Sequence, residues 1–352
     1  MVISKFYSGL AYYHQSTLST IFGCLISAST LYDQCEYVAN AVMPIFYELR
    51  RLAANAPSFL LDDTHNRILH QQPELREAAN GKVLRLRTGI YSSGLFARLS
   101  DGHDIVLFET SLGQAGEHLN DVLMMRERAL HVHLTMSDAL SSNHVTKHPI
   151  KQAYCNAHCR RQFYDLDTDG NEEISWVLDT YAIIWRSEEI VKERALDMHQ
   201  RLAYHQSHSL PAMQEIRDWA KKRQQSDEFE AHSVLGKAIH YYLRHYEKLT
   251  LFCQAPGALI DNNQMEEKLK IVIRGRKTSH FYKTAVGAGV ANVLISIIAT
   301  AYGCDINLFD YLQTLQRYQS DIKVSPGQWL PWKYQQTLNT IVQGKLEPDK
   351  VA

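Results

Sequence analysis

Three acidic residues carry the most specific chemistry this sequence could do. Asp62 closes the short apolar run Phe59-Leu60-Leu61, Asp138 follows the apolar segment ending at Met136, and Glu266 comes shortly after Asp261-Asn262-Asn263. Carboxylates bind hard cations, and Mg²⁺ takes only a few of them, leaving its other positions to water and substrate phosphates. An aspartate at the end of each of two strands, joined by an acidic group from a later helix, is thus a donor set for the paired divalent ions that phosphodiester transfer uses. The same residue types also serve as loop and cap residues, and spacing alone leaves both readings open.

The neighbourhood of Glu266 adds a second ingredient. Asp261 to Asn263 predict a helix start, which puts Glu266 in the first turns and Lys270 one turn later on the same face. Six basic residues fall between Lys268 and Lys283, among them Arg274, Arg276 and Lys277. Such a patch suits phosphate contacts, although a solvated helix face has the same composition. The patch is local, because the whole chain of 352 residues balances 37 basic against 38 acidic residues.

These groups need elements to hold them. Phe59 to Asp62, the stretch Val83 to Leu99 broken at Ser92-Ser93-Gly94, Asp104 to Thr110 and His131 to Met136 have the texture of strands, and Glu117 to Arg128 that of a helix. A mixed α/β sheet follows. Residues 1 to 55 are expected to be helical, with Gly23 between His14–Phe22 and Ser27–Ala39 in the outline of a helix-turn-helix. Asp179 to Tyr204, Leu210 to Arg223 and Ser233 to Phe252 are long amphipathic patterns with breaks expected at Pro211 and Pro256-Gly257. Val286 to Gly303 approaches the length of a membrane span. Asn292, Ser296 and Thr300 fall at i, i+4 and i+8 there, drawing a polar stripe that predicts a buried helix instead.

Several other constellations compete. Cys155, His158 and Cys159 are zinc-ligand types, but no fourth ligand stands nearby and adjacent His158 and Cys159 suit a tetrahedron poorly. Asp165, Asp167, Asp169 and Gly170 match the first half of a calcium loop, yet its twelfth position is Trp176 where a bidentate Glu is required. The histidines show no H-E-x-x-H spacing, and no Gly-rich loop followed by lysine speaks for ATP. The six scattered cysteines predict reduced thiols in a cytoplasm.

Taken in order, the motifs resemble the insertion-sequence-66 family of bacterial transposases. Asp62-Asp63-Thr64 resembles the family's Asp-Glu-Thr, and Ser137-Asp138 its second aspartate segment. Cys155 to Phe163 is similar to its Cys-x-x-His-x-Arg-Arg-x-Phe, and Ile260 to Glu266 to its Asp-Asn-Asn-x-x-Glu-Arg. Gly275-Arg276-Lys277, Ser296 to Ala301, Asp310-Tyr311-Leu312 and Leu330-Pro331-Trp332 look like further landmarks. The sequence departs from the pattern at Glu267 and Lys270, where the family usually has arginine, and at Thr278, where it has asparagine.

The resemblance implies an α/β, ribonuclease-H-like mixed-sheet core with a metal-binding catalytic triad of Asp62, Asp138 and Glu266 holding Mg²⁺ or Mn²⁺. It implies a helix-turn-helix-like DNA-binding region over 1–55, core segments over 56–170 and 256–315, an all-helical insertion over 171–255 and a C-terminal tail over 316–352. The expected activity is DNA strand cleavage and strand transfer at insertion-sequence ends. Double-stranded DNA is the expected partner, with Arg160, Arg161, Lys270, Arg274, Arg276 and Lys277 as contacts and a homo-oligomer on DNA in a bacterial cytoplasm, with no membrane. Nothing before Phe6 resembles the family's cysteine-rich N-terminal segment, so the alternative expectation is a truncated, inactive copy that only binds DNA or an intact transposase.

Overall fold

Phe59, Leu60 and Leu61 are fully buried and flanked by polar residues, the pattern of a strand covered on both faces. In the computed structural model, which describes residues 1–77, 84–126, 133–166, 171–227 and 229–346, they lie in the central strand of a five-stranded sheet. The chain enters through helices α1 (Val2–Phe6), α2 (Tyr12–Ile21) and α3 (Ala28–Ala53), then makes β1 (Ser58–Asn66), a small hairpin β2 (Glu74–Glu77) and β3 (Leu84–Arg87), β4 (Ile90–Arg98) and β5 (Asp104–Ser111). Helix α4 (Ala115–Leu123) leads to β6 (His133–Ser137), β7 (Ile150–Tyr154) and α5 (Asn156–Tyr164). Three long helices follow, α6 (Glu172–Glu193), α7 (Met198–Gln224) and α8 (Val234–Leu249), and the chain then returns as α9 (Asn263–Ser279), α10 (Ala285–Tyr302), α11 (Leu308–Arg317), α12 (Gln319–Val324) and α13 (Tyr334–Leu346).

The sheet runs β5-β4-β1-β6-β7. β1 is antiparallel to β4 and β4 to β5, whereas β6 and β7 run parallel to β1. Among the described residues two large apolar cores result, beside a small cluster of Ile68, Ile90, Leu112 and Ala288. One joins the sheet to α3, α9 and α10, and includes Val2 and Phe6 of α1 as well as Ile322, Trp329, Leu330 and Tyr334. Parts of α1 and α3, and Ile322 to Tyr334 from the span read as a tail, therefore pack into the sheet's core. The second core unites α5, α6, α7 and α8 through Phe163, Tyr181, Ile216 and Tyr242.

Helix α10 shows why its sequence is so apolar yet carries a polar stripe. It is long and apolar enough to cross a membrane, but 67% of it is buried in the fold. β5 is an edge strand, and its outward N–H groups need acceptors. Thr110, Phe108 and Val106 donate to Asn292 Oδ1 (3.0 Å), Ser296 Oγ (2.8 Å) and Thr300 Oγ1 (3.0 Å). Four residues of helix rise about 6 Å and two residues of strand about 6.8 Å, so a stripe at i, i+4, i+8 meets alternate strand residues in register.

Three expectations are corrected. β4 passes unbroken through Ser92-Ser93-Gly94, because Ser92 bonds Thr110 Oγ1 (2.6 Å) and Asn66 Nδ2 (2.7 Å) while Ser93 donates to Asp63. Helix α7 runs through Pro211, where burial of Ser209, Ala212, Met213 and Ile216 outweighs the lost hydrogen bond. The Asp179–Tyr204 pattern is split instead at Asp197, whose side chain caps α7 with Gln200 answering from its third position. Asp165 of the calcium-like loop follows α5, whereas Asp167 to Gly170 lie outside the described residues, as does His131.

Candidate metal centre

Strand register brings the two aspartates together. Leu60 pairs with Met136 in the parallel β1/β6 ladder, so Asp62 and Asp138, each two residues further on, leave adjacent strands at the same level. Parallel neighbours at one level point to one face. Asp138 is held by Asn143, whose Nδ2 donates to Oδ1 at 2.5 Å, and by the Leu140 N–H at 3.2 Å. Among the described residues, Asp62 accepts only from the N–H of its own neighbour Asp63, at 2.8 Å.

Helix α9 supplies the third carboxylate, and a buried asparagine sets its start. Asn262, fully buried, donates from Nδ2 to the Leu61 carbonyl at 2.9 Å, one residue before Asp62. Asn263 N–H donates to Asp261 Oδ1 (3.2 Å), and Trp185 Nε1 donates to Asp261 Oδ2 (3.1 Å). The next turn lies over Gly94, the partner of Asp62 across the β1/β4 ladder. A Cβ there would stand 2.2 Å from Met265 Cε and 3.2 Å from Phe108 Cε1, so the glycine leaves the room that the Met265 side chain fills. Glu266 follows directly and joins Asp62 and Asp138.

The electrostatics follow from the crowding. Burial, with the charges of Asp138, Glu266 and Asp63 adding to it, pushes the Asp62 carboxyl up to about 7 against the pull of its backbone hydrogen bond. Asp63 alternates to the opposite face. There it accepts from Ser93 Oγ and from the Ala115 N–H (3.1 Å), supplying the negative charge at the start of α4 that Gln114, the cap residue, does not. Two adjacent aspartates thus divide into a bonded one and a nearly bare one.

Cys155 and His158 also converge on Glu266. Their donor atoms and a Glu266 oxygen all lie within 4.8 Å of one another, with His158 Nδ1 3.5 Å from Glu266 Oε1. Cys159, the third member of the sequence cluster, turns instead into the helical core, fully buried and within hydrogen-bonding reach of Tyr181. Among the described residues, Glu266 therefore takes the place that the sequence cluster offered to Cys159.

The basic residues separate into tied and free. Arg276 donates to Thr64 Oγ1 (2.9 Å) and to the His65 carbonyl, which pins α9 to the end of β1. Arg274 donates to the Tyr7 carbonyl (3.0 Å) and lies over the Tyr7 ring. Arg160 is half-buried over Tyr164, whereas Arg161, Lys270 and Lys277 are exposed. Glu267 is exposed beside Arg98 and Lys268 in a small hollow that excludes Glu266. A larger hollow of about 900 Å³ opens between the N-terminal helices and the α9–α10 connection, and none of the three carboxylates lines it.

Sequence reasoning missed Asn262, Gly94 and Asn143 as positioning residues, and read Cys155 and His158 without their partner. Spacing could not have set Cys159 aside, because i, i+3 and i, i+4 neighbours both share a helical face with Cys155.

The protein is thus a mixed α/β protein whose central strands and one returning helix gather acidic groups at the end of its sheet. It belongs to the Transposase IS66 family, whose model matches residues 1–290. Two uncharacterized proteins of Sinorhizobium fredii (strain NBRC 101917 / NGR234) are similar to it. The protein y4hP is 26% identical over 332 residues, 89% of this chain and 57% of that protein. The protein y4jD is 29% identical over 154 residues, 44% of this chain and 29% of that protein. The chain thus matches 57% of the length of y4hP and 29% of that of y4jD.

Proposed function

We propose that this chain is a DNA strand-cleaving and strand-joining transposase of the DDE type, in which Asp62, Asp138 and Glu266 hold a pair of Mg²⁺ or Mn²⁺ ions. The observation that carries this reading is the Asp62 carboxyl, pushed up to about 7 by burial and by the neighbouring carboxylates of Asp138, Glu266 and Asp63. A site built this way stores negative charge that a divalent cation relieves. The donor set is all-oxygen and carboxylate-rich, which fits Mg²⁺. The sheet order β5-β4-β1-β6-β7, antiparallel then parallel, supports a ribonuclease-H-like core with the α6–α8 unit inserted before the glutamate helix.

When bound, the ion pair supplies activation of a water or 3′-hydroxyl and stabilisation of the leaving oxygen in an in-line displacement. The chain's own residues do the rest. Asp62 gives up its proton as cations arrive, Asn143 fixes Asp138, and Asn262 fixes the start of the helix that presents Glu266. Exposed Arg161, Lys270 and Lys277 contact the DNA backbone, whereas Arg274 and Arg276 hold α9 in place and only secondarily face DNA. Arg160, stacked on Tyr164, also borders this surface. Helix α2 and the start of α3 form the end-recognition region, and the enzyme works as a homo-oligomer on DNA.

The test is cleavage of terminal-repeat DNA with Mg²⁺ or Mn²⁺, comparing the protein with its Glu266→Gln variant. Metal-dependent nicking that the variant loses supports the reading. Cleavage unchanged in the variant removes Glu266 from the mechanism. Binding to end DNA with no nicking under either ion favours the inactive, DNA-binding copy.

A further inference from the structure

Beside the carboxylates lies a donor set of a different chemical kind. Cys155 is the N-terminal flanking residue of α5 and is fully buried. Its sulfur receives the Asn262 N–H at 3.3 Å and the backbone N–H of His158. Burial pushes the Cys155 thiol up to about 12 against the pull of these two N–H groups, so a bound cation rather than the helix end is what displaces its proton. His158 Nδ1 is shielded from solvent, has no hydrogen-bond partner among the described residues and lies 3.5 Å from Glu266 Oε1. Tetrahedral zinc with bonds near 2.0–2.3 Å spaces its ligand atoms about 3.4–3.7 Å apart. The His158–Glu266 pair already has that spacing, and the widest separation, within 4.8 Å, closes with a shift of about 1 Å.

We infer that Cys155, His158 and Glu266 bind one transition-metal ion of the zinc class, at a site distinct from the all-carboxylate pair but sharing Glu266 with it. Sulfur and imidazole donors select Zn²⁺ or Co²⁺ over Mg²⁺, which takes oxygen. The thiol proton passes to solvent as the sulfur–metal bond forms, so binding strengthens as pH rises. The site does not depend on the strand-transfer reading, because the donors stand together whatever the carboxylates do. Its consequence for that reading is competition. Glu266 engaged by zinc is withdrawn from the Asp62 and Asp138 side.

Cobalt titration of the metal-stripped full chain tests this. One equivalent of Co²⁺ is expected to bind in the presence of excess Mg²⁺, with a near-ultraviolet sulfur-to-cobalt charge-transfer band. Cys155→Ser should abolish the band, Cys159→Ser should keep it, and His158→Asn and Glu266→Gln should each weaken binding at least tenfold. If Cys155→Ser fails to fold, His158→Asn decides the matter, because that ring is about one-third exposed and its replacement spares the core. No band in the parent protein, a band lost with Cys159→Ser but kept with Cys155→Ser, or unchanged affinity in His158→Asn overturns the site. None of these outcomes bears on Mg²⁺-dependent cleavage, which Asp62→Asn tests independently.

Discussion

The fold treats the polar groups of two regions in opposite ways. Along the α10–β5 seam, the side chains of Asn292, Ser296 and Thr300 each accept a strand N–H, and Thr300 also returns its hydroxyl to the Val106 carbonyl (3.2 Å). At the end of β1, Asp62 receives one N–H from its own neighbour and faces two further carboxylates. The first arrangement is what stability demands of buried polar atoms. The second opposes stability, and such local conflicts concentrate at functional sites. The contrast separates residues that hold the fold from residues the fold holds.

The largest expected effect comes from removing a carboxylate. Asp62→Asn or Glu266→Gln should lower metal-dependent cleavage on the order of 10³-fold, equivalent to about 4 kcal/mol of barrier. The thermal midpoint should not fall. A variant that melts lower while its cleavage persists would place Asp62 with the structural polar groups and erase the contrast.

Next in size is a pH effect of definite sign. The folded Asp62 carboxyl is raised to about 7 from an ordinary 3.8, so the native state binds the extra proton between those values. The contribution of Asp62 to stability is then fully present below pH 4, falls as pH rises toward 7 and levels off above it. At about 1.4 kcal/mol per pH unit the ionised group costs at most roughly 4 kcal/mol. Denaturant titrations across this range should show a steeper decline in the parent than in Asp62→Asn, with the raised Asp63 carboxyl contributing to both. Mg²⁺ should restore stability to the parent at neutral pH and do less for the variant.

The opposite behaviour is expected at the seam. Ser296→Ala leaves the buried Phe108 N–H without an acceptor, which costs about 1–3 kcal/mol. The midpoint in denaturant should fall at every pH, with metal affinity unchanged. A neutral result would show that the strand N–H finds another partner.

Legibility in the sequence follows the same division. The α10 stripe could be read because helix and strand periods are local rules. The strand-end aspartates could be placed on elements for the same reason, but their convergence depends on the β1/β6 register and on Asn262 reaching Leu61, contacts between residues 201 apart in the chain. Ser92-Ser93-Gly94 reads as a turn because small polar residues usually make turns. Here their hydroxyls serve Asp63, Asn66 and Thr110, and the missing Cβ of Gly94 serves Met265. Pro211 likewise reads as a break because the burial around it is set by α6 and α8, which no local pattern reveals. Cys159 resembles a ligand by type alone, and only the packing of α5 shows that it faces the other core.

The smallest expected effect divides the basic residues of α9 along the same line. Lys270 is exposed, so Lys270→Ala should leave the melting point within the scatter of surface substitutions, about 0.5 kcal/mol. If it meets a DNA phosphate, the variant should bind end and unrelated DNA more weakly to the same extent, and the slope of log affinity against log salt should shrink by about 0.9. Arg276 is bound to Thr64 and to the His65 carbonyl. Its replacement by alanine frees the end of β1 next to Asp62, and should lower stability by about 1–2 kcal/mol with little change in salt slope. Interchanged results, a salt slope carried by Arg276 and a melting shift carried by Lys270, would mean that the intramolecular bonds of Arg276 give way when DNA arrives. In that case, holding the fold and holding the substrate would be successive roles of one residue rather than a division between residues.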